Sequence, residues 1–139
     1  MLSIPRGIYL SIMINALMGL PHESCGLLGG KGRNALKFYP LTNTDESREH
    51  FSMDPAEQFA AVKDMRAAGL EMIAIYHSHP ETPARPSEED IRLAHTPGVS
   101  YIIVSMARPG TPVLKSFLIE DGEVTEEAVE ILEGGPANG

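Results

Sequence analysis

His77 and His79 stand one serine apart at the end of a short apolar run, Ile73, Ala74, Ile75 and Tyr76. Such a run, partly β-branched and entering a proline-bearing segment, reads as a buried strand that stops at a site. Side chains two apart on a strand point to one face, so the two imidazoles project together while Ser78 faces away. Paired imidazoles can share one metal ion. Zinc suits imidazole nitrogen and carboxylate oxygen, and a catalytic zinc keeps three protein ligands with the fourth position open to water. The third ligand is expected from Asp90, which follows Pro86, Ser87, Glu88 and Glu89 and precedes the apolar positions Ile91, Leu93 and Ala94. That segment reads as a helix beginning at Ser87. Serine followed three residues later by an acid is also a helix-capping pattern, and taken alone the cap is the commoner meaning. Paired histidines, a proline turn, and Ser and Asp one helical turn apart together favour the metal, and Ser87 can cap from the same corner.

The pattern His77, Ser78, His79, seven intervening residues, Ser87, two residues, Asp90 resembles the signature of the JAMM (MPN+) zinc metalloproteases, which remove ubiquitin or ubiquitin-like proteins from their adducts. That signature also has an upstream glutamate, and Glu23 in PHESCGLLGG (Pro21 to Gly30) stands in the matching place. The resemblance runs from around Ile4 to around Ile119. The context from His22 to Gly26 and the short chain look most like the stand-alone bacterial and archaeal members. The resemblance implies a single-domain α/β fold of the MPN type, a mixed, mostly antiparallel sheet flanked by helices and similar to the cytidine deaminase-like fold. It implies one zinc per chain on His77, His79 and Asp90, with Glu23 as general base and Ser87 as hydrogen-bond donor to a tetrahedral oxyanion. The implied substrate is a ubiquitin-like or sulfur-carrier protein, cut after its C-terminal Gly-Gly. Without the zinc motif, Glu23 would read as a surface carboxylate near a helix end.

Two other readings compete. One is a non-catalytic MPN scaffold, although such domains usually lack the ligands that this chain has. The other is a cysteine hydrolase built on Cys25, but Gly26, Leu27 and Leu28 after it suggest a buried, inert thiol. His22, His50 and His95 have no spacing partner, and only His22, beside Glu23, is placed to line the site.

The 139 residues and 42% hydrophobic content fit one globular domain. The chain is too short for a barrel of about 250 residues, which excludes the barrel-based hydrolases that also use an HxH pair. A net charge of -8 argues against nucleic acid, whose binding needs a basic footprint. One cysteine allows no internal disulfide, which fits a reducing, cytoplasmic setting. No stretch is long and apolar enough to span a membrane. A homodimer is left open.

These residues need a frame. Leu2 to Ile4 reads as a short strand stopped by Pro5. Arg6 before Gly7 to Leu20 superficially resembles a signal peptide, but no small-residue cleavage site follows, so the segment is read as the first core helix. In it Ser11 and Asn15 mark the exposed side, with Ile8, Ile12, Ala16, Tyr9, Met13 and Leu20 on a broad apolar face. Cys25 to Leu41 is expected as a hairpin turning at Gly29, Gly30 and Gly32. Thr42 to His50 is expected as a flexible polar loop, and Phe51 to Met53 as a brief strand. Asp54, Pro55 and Glu57 open a helix with a capping box, with Phe59, Val62 and Met65 inward and Gly69 at its end. Glu71 to Tyr76 returns as the strand that delivers the histidines. Pro97 and Gly98 turn into a strand over Val99 to Ser105, which pairs with Pro112 to Glu120 before a tight turn at Asp121 and Gly122. The domain is expected over residues 1–133, with 134–139 as a flexible tail.

Overall fold

The computed structural model, which describes residues 1–108 and 110–133, holds one eight-stranded sheet with helices on both faces. The elements in order are β1 (Leu2–Pro5), α1 (Arg6–Gly19), β2 (Cys25–Lys31), β3 (Asn34–Leu41), α2 (Pro55–Ala67), β4 (Glu71–His79), α3 (Glu88–Arg92), β5 (Ser100–Ser105), β6 (Val113–Glu120), β7 (Glu123–Glu127) and β8 (Val129–Leu132). Across the sheet they lie β7-β6-β5-β4-β2-β3-β1-β8. The pairs β1/β3, β1/β8 and β4/β5 are parallel and the others antiparallel, so the expected mixed, mostly antiparallel α/β architecture is what forms. The expected tail, 134–139, lies outside the described residues.

The central strands are covered on both sides, as their apolar runs require. On one face α1 lays Ile12 and Ala16 against Leu28, Ala74, Tyr76, Ile102 and Val104. On the other, Ala61 and Met65 of α2 meet Leu27, while Ile91 and Ala94 cover Tyr101, Phe117 and Ile119. The histidines emerge from β4 on this second face, at the open end between α2 and α3.

Several local expectations change. Phe59 points to solvent at 71% exposure, because α2 turns Ala61 and Met65 to the sheet instead. Glu57 does not complete a capping box: Asp54 alone accepts from the N–H groups of Ala56 and Glu57, and the Glu57 carboxylate reaches across to the Thr42 N–H and hydroxyl at 2.6 and 2.9 Å. Asn15 is half-buried rather than exposed, since it accepts the Tyr76 hydroxyl at 3.1 Å, whereas Leu20 is exposed. β1 takes in Pro5, which pairs with Leu132 of β8, and ends there. The expected hairpin turn at Asp121 and Gly122 returns as β7, whereas β8 is not among the expected elements. β8 is legible only through its long-range parallel pairing with β1, which no local pattern announces.

Gly32, at φ +60, makes the β2–β3 turn, while Gly29 and Gly30 lie inside β2 beside a bulge. Gly30 is there for close approach: a Cβ built on it would sit 2.0 Å from the Asn34 carbonyl oxygen. Gly30→Ala is therefore expected to destabilise the domain by roughly 1–3 kcal/mol. A thermal unfolding midpoint equal to that of the parent chain would show that the bulge relaxes freely.

Candidate metal centre

β4 aims the two imidazoles. Its parallel register against β5 runs unbroken through His77 and His79, while β2 pairs with it as far as His77, and both rings are almost fully buried on the α2 and α3 face. Ser78 turns to the opposite face, as expected. There its Oγ accepts the Ser24 N–H at 2.7 Å, and its own N–H donates to the Ser24 carbonyl at 2.9 Å. This double stitch ties the end of β4 to the chain just after Glu23.

α3 brings the third group. Ser87 Oγ accepts the Asp90 N–H at 3.0 Å, and Asp90 Oδ2 accepts the Ser87 N–H at 2.9 Å, a complete capping box. The cap and the ligand corner are the same atoms. Asp90 Oδ2 also lies 3.2 Å from His77 Nε2 and 3.1 Å from His79 Nε2, and the two ring nitrogens are 3.1 Å apart. Three donor atoms thus form a nearly equilateral triangle. Around a tetrahedral zinc with bonds near 2.0 Å, neighbouring ligand atoms stand about 3.3 Å apart, so this donor set fits that ion. His79 Nδ1 donates to the Pro83 carbonyl at 2.9 Å, which leaves the Nε2 lone pair facing the corner, the orientation metal-bound histidines need.

Electrostatics agree with the geometry. Burial holds the His77 pKa below the ordinary imidazole value despite the neighbouring carboxylate. Burial also opposes charge on His79, but the hydrogen bonds to Asp90 and to the Pro83 carbonyl prevail and raise it. On Asp90 burial is likewise outweighed, by the two imidazoles and the Ser87 N–H, and its carboxyl is held far below the usual carboxylate range.

Glu23 lies at the same end of the sheet, just before β2, only 4% exposed. Its Oε1 is the one buried side-chain polar atom without a hydrogen-bond partner among the described residues. Burial pushes its pKa up to about 8, with His79 lowering it and Asp90 raising it. A buried carboxylate left without donors is costly, so such an atom points to a working role. Ser87, whose Oγ accepts in the capping box, keeps its hydroxyl proton available for donation.

Sequence reasoning missed Phe51, whose ring stacks on His77 at 4.7 Å between centroids and 22° between planes. It also missed the order in the segment around it. Thr42 to His50 is not a loose loop: Asn43 bridges to Met53, the Thr44 N–H donates to the Ser52 carbonyl at 2.8 Å, and His50 Nδ1 meets Asp45 at 3.0 Å. An asparagine able to bond the backbone two residues on was the available signal. Phe51, Met53, Leu93, Tyr101 and Ile119 line an apolar recess of about 190 Å³ that opens onto His77 and Asp90. Cys25 is buried, with its thiol pushed up to about 12 by burial, and its Sγ points at the Leu41 carbonyl at 3.6 Å.

The model of the prokaryotic homologs of the JAB domain matches residues 5–119. The chain is 37% identical over 115 residues to the CysO-cysteine peptidase of Mycobacterium tuberculosis, covering 81% of this chain and 79% of that one. It is 35% identical over 123 residues to a probable TtuB-protein conjugate cleaving protease of Thermus thermophilus, covering 88% and 78%. Among solved structures, a protein from Desulfitobacterium hafniense superposes with a TM-score of 0.89 at 48% identity, over 99% of this chain and 97% of that one. With the match extending from α1 into β6, the strands that build the corner included, the chain belongs to the family of prokaryotic JAB-domain proteins and has the JAB/MPN fold.

Proposed function

We propose that this protein is a zinc-dependent metallopeptidase or isopeptidase that cuts after the C-terminal Gly-Gly of a ubiquitin-like or sulfur-carrier protein. The observation that carries this reading is the buried triangle of His77 Nε2, His79 Nε2 and Asp90 Oδ2, with an unpartnered Glu23 carboxylate at the same end of the sheet. The names of the Mycobacterium and Thermus relatives support the substrate class. A cytoplasmic place of action fits the lone, buried, reduced Cys25.

His77, His79 and Asp90 would hold one zinc, and when bound it would supply Lewis acidity that makes water a nucleophile near neutral pH. Glu23 takes the proton from the attacking water and delivers it to the leaving amine. A base whose pKa lies near the working pH suits both transfers. Ser87 donates its free hydroxyl proton to the oxyanion that develops on the scissile carbonyl. The recess beneath Phe51 and Leu93 shields the corner from bulk water and accepts an apolar side chain of an extended tail. A cysteine hydrolase finds no support in a buried thiol with a raised pKa and no imidazole bonded to it. A bare scaffold would not need an aligned donor triangle.

The purified protein is expected to carry one zinc per chain, and His79→Ala or Asp90→Ala to lose it. A carrier protein with residues appended after its Gly-Gly should be trimmed by the parent and spared after chelation. Absence of zinc, or zinc-loaded protein that trims no such carrier, would overturn the reading. Glu23→Gln should keep the metal yet lower kcat by about 100-fold or more; full activity would remove Glu23 from the reaction.

Stability gives an assay independent of substrate. The folded-state pKa of Glu23, about 8, lies above its unfolded value near 4.5, so the folded state binds this proton more tightly. The stabilisation is complete below the unfolded value and is lost as pH rises through the folded one. In metal-free protein, the unfolding midpoint of Glu23→Gln should therefore gain on the parent steadily from pH 4.5 to pH 8. A difference that stays flat over this range would place Glu23 in solvent.

A further inference from the structure

Glu23 sits between the end of α1 and the start of β2, where no regular element holds its backbone. Both of its main-chain groups are held by one loop instead. The Glu23 N–H donates to the Ser47 carbonyl at 2.6 Å, and the Asn43 side-chain amide donates to the Glu23 carbonyl at 3.0 Å.

The amide of Asn43 is fully used. Its Nδ2 also donates to the His50 carbonyl at 3.2 Å, and its Oδ1 accepts the N–H groups of Asp45 and Ser52, each at 3.0 Å. Reversing the amide would set two donors against two N–H groups, so the network itself dictates this orientation. The bonds to Asp45 and Ser52 shape the loop, as an asparagine turn does anywhere. The bond to Glu23 is different, because it leaves the loop and reaches the segment that carries the proposed base. On its other side the same loop presents Phe51, stacked on the ligand His77 at 4.7 Å.

From this arrangement, and resting on the reading of Glu23 as the base, we infer that Asn43 is a positioning residue: it joins the loop that walls the metal corner to the backbone of Glu23, so that wall and base are set as one unit. A tail docking against Phe51 and Met53 presses on the unit that aims Glu23. Asn43 is outside the donor triangle and reaches the recess only through Ser52 and Met53 of its wall, so its effect falls on the chemical step and not on metal loading.

Two variants separate this role from that of an ordinary turn residue. Asn43→Asp keeps the acceptor for Asp45 and Ser52 and removes the donors to Glu23 and His50. Asn43→Ala removes both sets. Zinc-loaded Asn43→Asp is expected to hold parental zinc content and a KM within a few-fold of the parent, with kcat lower by about 10- to 100-fold, the scale of a misplaced catalytic group. Amide hydrogen exchange on metal-free protein supplies the second readout. In Asn43→Asp the Glu23 N–H should exchange at least about ten times faster while the Ser52 N–H stays protected; in Asn43→Ala both should be lost. If Asn43→Ala does not fold, Asn43→Asp alone carries the test. Parental kcat and parental Glu23 protection in Asn43→Asp would overturn the inference by showing a loop-only role, and so would loss of zinc. Should the parent cleave no carrier, the proposed function falls while the exchange data still decide whether Asn43 holds Glu23.

Discussion

Everything at the working end of this molecule depends on holding three electron-pair donors about 3 Å apart in a buried corner. Imidazole nitrogens and a carboxylate oxygen in that arrangement can offer lone pairs to one point, and a shared proton or a bound cation there offsets their mutual repulsion. The fold reaches it with two short-range devices. Strand alternation sends His77 and His79 to one face with Ser78 behind them, and a capping box turns Asp90 inward at the first turn of α3. Using Asp90 Oδ2 both as the cap acceptor and as the third member of the triangle leaves the side chain little freedom, so the capping box itself aims the carboxylate at the two imidazoles. The Pro83 carbonyl does the same for His79 by fixing its tautomer.

Two buried glutamates show how this chain distributes hydrogen-bond donors. Burial opposes ionisation of both. Glu127, at the far end of β5 and β6, receives donors from Ser100, Ser116 and Arg33 and is held below the usual carboxylate range. Its charge is satisfied and serves to bind β7 to the turn between β2 and β3. Glu23 Oε1 receives no donor among the described residues, and burial prevails, so its proton is held well into the neutral range. The contrast between a carboxylate surrounded by donors and one left short of them is what supports the proposed role of Glu23 as a base, since a base must still have a lone pair to use.

The remaining parts of the site are indirect. Ser78 and Ser24 join the back of β4 to the strand that follows Glu23, so the two sides of the corner are tied beneath the sheet as well as above it by the 43–53 loop. The apolar recess supplies no chemistry of its own. Its walls come from that loop, from α3 and from β5 and β6, which keeps water from one side of the corner and leaves the other side accessible.

Features that depend on near neighbours along the chain are written in the order of its residues. The HxH spacing and the Ser87 to Asp90 interval are each local periodicities, of strand and helix respectively, so the shared face of the two imidazoles and the cap that holds Asp90 could be read from residue order. The hairpin turn at Asp121 and Gly122, the burial of Cys25 and the backward-facing Ser78 were legible for the same reason. The burial of Glu23, the stack of Phe51 on His77, the several bonds of Asn43, and β8 beside β1 were decided only by tertiary structure. The Asn43 bond to Glu23, the Phe51 stack and the β8 pairing join residues 20 or more positions apart, and the burial of Glu23 rests on what other segments remove from water. Solvent exclusion and hydrogen-bond partners are properties of the assembled chain, and no local periodicity encodes them.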